Sequence, residues 1–282
     1  MLRPHILAPR PGVARRIRQR SKTLRPVRPN AGIEAEYRKR LVRMLTDIHK
    51  STVWWISAEY RKHPPATLAM DASPFTWLLR VLRKLRDRWM SKIEEAAPLV
   101  AAHFDQAVAD RSDTALKKIL RDAGMTVRFQ ETPAMRDIRA ASVAENVSLI
   151  KSIPEKYFTE IEGIVSRGYS NGYDLKTVTD ELHRRFDISR RRAAFIAKDQ
   201  SSKLHSQLTR IRSLENGITR AKWLHSHGGK SPRKSHLHVM NGQEFDLAEG
   251  LYDPDPRVRR KIQPGTLIGC KCVYRPIVAG FS

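Results

Sequence analysis

The chain has 282 residues, with 53 Lys and Arg against 29 Asp and Glu, and a formal net charge of +24. Its length allows two domains, and a 40% apolar share places most of it outside the compositions that stay unfolded. No apolar run approaches the ~20 residues of a membrane span, and no apolar stretch follows the Arg-rich start as in a secretory signal. Cys270 and Cys272 alone make no disulfide framework, so the expectation is a soluble, reduced, very basic protein whose partners are polyanions or acidic protein surfaces.

Residues 1–31 carry nine basic side chains, Arg3, Arg10, Arg15, Arg16, Arg18, Arg20, Lys22, Arg25 and Arg28, with five prolines and no acid. Proline blocks helix and like charges repel, so the whole segment reads as an extended, mobile arm. Such an arm neutralises phosphates and releases counterions. From Ile33 to Lys62 the apolar residues Tyr37, Leu41, Met44, Leu45, Ile48, Thr52 and Trp55 recur at helical spacing, and His63-Pro64-Pro65 ends the helix. A second helix begins at Ser73-Pro74 and runs past Pro98 with a kink. Trp54, Trp55, Trp77 and Trp89 are expected in the core of this hairpin.

A short helix follows over Asp113–Arg121, closed by Gly124, and Met125–Gln130 is either a strand or a linker. Further helices are expected from Pro133 to Ile150, from Pro154 to Arg167, from Asp174 to Phe186 and from Ser189 to Asn216. Gly168, Asn171 and Gly172 stop the second of these. After Gly217 the pattern changes to strands at Ile218–Leu224 and Leu267–Val278, separated by a segment rich in Gly, Pro, Asn and Asp. The fold class is therefore α+β, a mainly helical body with a small loop-rich C-terminal β unit. Three regions follow: a basic arm (1–31), a variable helical region (32–130), and a C-terminal domain (131–282) that is helical to about 216.

Cys270 and Cys272 are two apart on an expected strand, so their side chains share a face. With His236 and one of His225, His227 or His238 they offer two sulfurs and two imidazoles to a structural Zn²⁺, which would add folding energy to a unit with little core. The competing reading is two buried thiols packed as small apolar groups, with His236 bonded to a turn. Asp253, Asp255 and Glu249 read as a turn rather than a cation site. No phosphate-binding loop and no dinucleotide fingerprint occurs.

Several segments resemble the phage Mu protein F-like family of minor head, or head morphogenesis, proteins, in the family's order. They are Asn146-Val147-Ser148-Leu149-Ile150 with Ile153-Pro154, the Gly163–Gly172 stretch, and Arg192–Gln200. Lys222-Trp223-Leu224, Ser235-His236, Asn241-Gly242, Pro264-Gly265 and Cys270-Lys271-Cys272 follow. The resemblance covers about half the chain, from residue 145 onward. It departs from the pattern where His225 and His227 stand in place of the usual acidic residue. It implies a non-enzymatic minor capsid protein of a tailed phage or prophage, acting at or near the portal in prohead assembly and DNA packaging or delivery. The partners implied are the portal, other head proteins and DNA, with no membrane and no small-molecule substrate. The location implied is the virion interior, and the host cytoplasm during assembly. Trp223, Asn241, Gly242, Pro264 and Gly265 would hold the C-terminal unit together, with Gly242 and Gly265 at positive φ. The alternative is a metal-dependent nuclease built on His236, His238 and Asn241, and a Cys nucleophile is a remoter one.

Overall fold

The computed structural model describes residues 21–62, 74–228 and 231–279. Four long helices form the body: α1 (Ala31–Lys62), α2 (Pro74–Asp122), α3 (Pro133–Ser170) and α4 (Leu175–Glu215). The α1 stripe of Tyr37, Leu41, Leu45, Ile48, Thr52, Ile56 and Tyr60 advances by three or four residues, so one face is buried along the whole helix. It meets Leu78, Leu82, Leu85 and Ile93 of α2, Ile150, Ile153, Tyr157 and Ile161 of α3, and Val178, Leu182 and Ala193 of α4 in one core.

The helices begin where local chemistry favours it. The Asn30 carboxamide oxygen accepts from the Gly32 and Ile33 N–H groups at 2.9 and 3.1 Å. Thr132 accepts from Met135 N ahead of Pro133, and Asp174 accepts from Thr177 N at 2.7 Å. The short helices expected from the sequence merge. Pro98 lies inside α2, Pro154 lies inside α3, and α4 runs unbroken through Phe186–Ser189. Residues 123–132 form a linker without strand, held where the Arg212 guanidinium donates to the Gln130 carbonyl. Gly168 does not end α3; a Cβ there would come within 2.7 Å of Val178 and 3.1 Å of the Tyr60 hydroxyl, so it is the contact that lets α1 and α4 close on α3.

The expected tryptophan core is not formed. Trp54 is 62% exposed and Trp77 47% exposed, Trp55 is at the surface, and Trp89 is only partly covered. The buried positions of α1 pass through Thr52 and Ile56, which turns Trp54 to the opposite face. In α2 the stripe runs through Leu78, one residue beyond Trp77, and the Arg80 guanidinium lies 4.6 Å from the Trp77 ring.

Beyond α4 the chain forms a four-stranded antiparallel sheet in the order β1-β6-β2-β3. Its strands are β1 (Lys22–Thr23), β6 (Val273–Val278), β2 (Arg220–Leu224) and β3 (Glu244–Asp246). A two-stranded ribbon, β4 (Leu251–Asp253) with β5 (Arg260–Ile262), and a π-helical turn at Ser235–Met240 complete the unit. The α+β architecture is as the sequence indicated. Strand β6 is shorter than the alternation suggested, because Leu267–Cys272 is turn.

The mobile arm expected over residues 1–31 does not hold for its described part. Thr23 pairs with Ile277, the Leu24 N–H donates to the Pro276 carbonyl at 2.8 Å, and Leu24 and Val27 are buried. Residues 21–31 are thus a structural strap, while Arg3, Arg10, Arg15, Arg16, Arg18 and Arg20 lie outside the described residues. This second core joins Leu24 and Val27 to Leu116, Ile119 and Leu120 of α2 and to Trp223, Phe245, Ile262 and Tyr274. Packing therefore crosses residue 130 in both cores.

Candidate metal centre

Four segments of the C-terminal unit converge at His236. The π-helical turn carries His236 itself, and such turns often mark functional positions. Strand β2 brings Trp223, whose ring meets the imidazole edge-on at 5.2 Å between centroids. Strand β4 ends at Asp253, a fully buried carboxylate whose Oδ2 accepts from His236 Nε2 at 3.0 Å. The turn into β6 supplies Cys270 and Cys272, both free thiols, with Sγ atoms 3.5 and 3.6 Å from His236 Nδ1. The two cysteines precede the strand rather than sitting on it, and still present their sulfurs to one nitrogen. One donor atom from each of His236, Cys270 and Cys272 lies within 4.8 Å of the others, and all three residues are buried.

Tight backbone packing sets the turn. Pro264 offers its carbonyl to the Ser206 hydroxyl, and Gly265 has φ +81°. A Cβ at Gly265 would stand 3.2 Å from the Ser202 carbonyl and 3.3 Å from that of Cys272. The Asp199 carboxylate accepts from Gly269 N at 2.5 Å, tying α4 to the cysteine turn. On the opposite side Gly242, also at positive φ, donates its N–H to the Trp223 carbonyl at 2.9 Å. Asn241 Oδ1 accepts from His225 N at 3.0 Å. The five residues expected to hold the unit all sit in this web.

The titratable groups of the cluster shift one another strongly. The Cys272 thiol and backbone N–H, with His236, hold the Cys270 thiol well below its ordinary value against the opposing effect of burial. Cys272 is pushed up, because its neighbour already carries the negative charge and because it is buried. The pair gives up its first proton easily and its second reluctantly. Burial alone would lower His236, but the Cys270 thiolate and the Asp253 carboxylate outweigh it and the net shift is upward. Burial would raise Asp253, yet the Asp255 N–H and His236 draw it below its usual range. The Trp223 indole N–H has no acceptor in hydrogen-bonding geometry among the described residues, and it stands near enough to Cys272 to favour the thiolate.

His225 is beside the cluster but not in it. It is buried, its Nδ1 accepts from His227 N at 3.1 Å, and its ring meets the His227 ring at 4.8 Å. Burial and the neighbouring His227 lower its pKa. The sequence reading passed over Asp253, because an acid between prolines and aspartates reads as turn chemistry; its place at the end of a ribbon strand appears only in three dimensions. The nuclease pattern gains nothing, since His236 is turned into the cysteines and Asn241 into the backbone.

Next to the centre an open cleft runs between α4 and the Pro254–Val258 and Leu267–Lys271 loops. Phe195 and Ile268 are exposed on its walls. Lys198 stands against Lys271 and, with burial, lowers the Lys271 pKa; neither amine forms an ion pair among the described residues.

No family model matches the chain, and no solved structure matches it. An uncharacterized protein of Haemophilus influenzae is 27% identical over 274 residues, covering 95% of this chain and 58% of the relative. The chain thus spans just over half the length of that relative.

Proposed function

We propose that the chain is a head morphogenesis protein of a tailed phage or prophage: a minor component near the portal that works by binding acidic protein surfaces or DNA, without catalysis of its own. The observation that carries this reading is the convergence of the segments that resemble the Mu F-like family. Most of them, scattered over residues 145–272, are linked by contacts, while Gly163–Gly172 lies apart at the end of α3 against Tyr60 and Val178. Asn146 donates to Gln200 at 3.3 Å, Asp199 accepts from Gly269, Gly265 packs against Ser202 and Ser206, and Trp223 meets His236. The +24 charge and the Lys198–Lys271 cleft beside exposed Phe195 and Ile268 suit an acidic partner that also carries apolar groups.

The test is genetic and physical. Particles released after induction of the encoding phage or prophage should contain peptides of this chain, and an in-frame deletion should yield heads that fail to fill or fail to deliver their DNA. Particles that lack the chain, together with a deletion that leaves the titre unchanged, would sink the reading. Metal-dependent nicking of a supercoiled plasmid that is lost in His236→Ala would replace it with a nuclease.

A further inference from the structure

We propose that His236 Nδ1, Cys270 Sγ and Cys272 Sγ form a zinc-class metal site in which Asp253 orients the imidazole. The chemistry of the donor set selects the cation. Two thiolates and an imidazole are borderline-soft ligands that suit Zn²⁺ and repel the hard, oxygen-seeking Ca²⁺ and Mg²⁺. With His236 Nε2 at 3.0 Å from the Asp253 carboxylate, the ring would keep its proton there when a metal binds and offer Nδ1, which lies 3.5 and 3.6 Å from the two sulfurs, as the ligand. This carboxylate–histidine–metal arrangement is the usual means of fixing a ligand's tautomer. The buried Trp223 indole N–H finds no hydrogen-bond acceptor among the described residues, and its ring lies against that of His236 at 5.2 Å. Binding replaces the protons shared by the two thiols and Nδ1 with the metal, so zinc uptake releases protons and weakens as pH falls.

Two other uses of the same residues are distinguishable. A disulfide across a single intervening residue fits the required geometry poorly, and both thiols are free here. A Cys270–His236–Asp253 nucleophilic relay shares part of the geometry, but it leaves Cys272 aimed at the same nitrogen with nothing to do. The proposal is independent of the head-protein reading, since a metal staple serves any function of the unit.

The experiment uses the full chain purified without chelator. About one zinc per chain is expected by elemental analysis. Exchange into Co²⁺ should give the intense near-ultraviolet thiolate charge-transfer bands of a tetrahedral site. Cys272→Ser should abolish those bands, and Asp253→Asn should weaken zinc 10- to 100-fold. His225→Ala should keep both metal and bands, because His225 Nδ1 already accepts the His227 N–H. Helical circular dichroism from the separate α1–α4 core shows whether each variant is folded. A folded wild-type chain that takes up neither zinc nor cobalt overturns the site. So does rapid alkylation of Cys270 alone in the protein as purified, which would mark a nucleophile. Loss of metal in folded His225→Ala overturns the three-residue assignment.

Discussion

Gly265 is the residue where substitution should be felt most sharply for its size. Its φ of +81° strains any L side chain, and the space beside it is closed by backbone carbonyls that cannot swing away. Gly265→Ala should cost about 2 kcal/mol in urea unfolding, whereas Gly172→Ala, at φ +66° with nothing within 4 Å, should lose only the strain. Equal losses at the two sites would deny the close approach its role. At this scale the sequence was partly legible. Cysteine and histidine have few uses, so Cys270, Cys272 and His236 could be picked out by type, and Gly242 and Gly265 by their turns. Asp253 could not, since a carboxylate has many uses and only the β4–β5 pairing brings it under the imidazole. The tryptophans misled for the opposite reason. Large apolar residues are usually covered, yet a stripe that shifts by one or two positions leaves Trp54 and Trp77 outside.

At the scale of elements, helix positions were legible and helix lengths were not. Apolar spacing marked the stretches of the four long helices, because a buried stripe must recur with the helix period, but not the short turn at Ser235–Met240. Pro154 was read as a stop, whereas the helix was carried past Pro98; packing over several turns outweighs one missing hydrogen bond at both. Pro154 is buried among α3 residues of the main core, while Pro98 is exposed on α2. Pro98→Ala should therefore raise stability by about 1 kcal/mol, restoring an N–H donor to the ladder without leaving a hole. A lower midpoint in urea for this variant would mean that the proline shapes α2 for its neighbours. The strap of residues 21–31 escaped notice because its nine-charge context hid Leu24 and Val27, two apolar residues too few for a period.

For the whole molecule, charge and buried histidines set the response to solution conditions. His49, between Tyr157 and His183, and His205, beside Ser112, are both held down to about 4, chiefly by burial. Their folded values lie below the ordinary value, so their contribution is complete above pH ~6.5 and drains away as pH falls toward 4. Melting temperature should drop across that window, and His49→Gln should make the drop shallower; an unchanged slope would clear His49 of the effect. Removal of residues 1–20 takes away six arginines and leaves the strap intact. It should flatten the plot of log K for DNA against log salt by up to about five units of slope, and an identical slope would show that these arginines do not meet phosphate. The strap itself has a consequence in time. Strand β1 leaves the ribosome long before β6, its sheet neighbour among the described residues: Arg275 reaches back across 251 residues to the Leu24 carbonyl. The helical bundle can close while synthesis proceeds, but the sheet and the cysteine turn cannot be completed until β6 emerges, so until then Leu24 and Val27 have only the cover that α2 supplies.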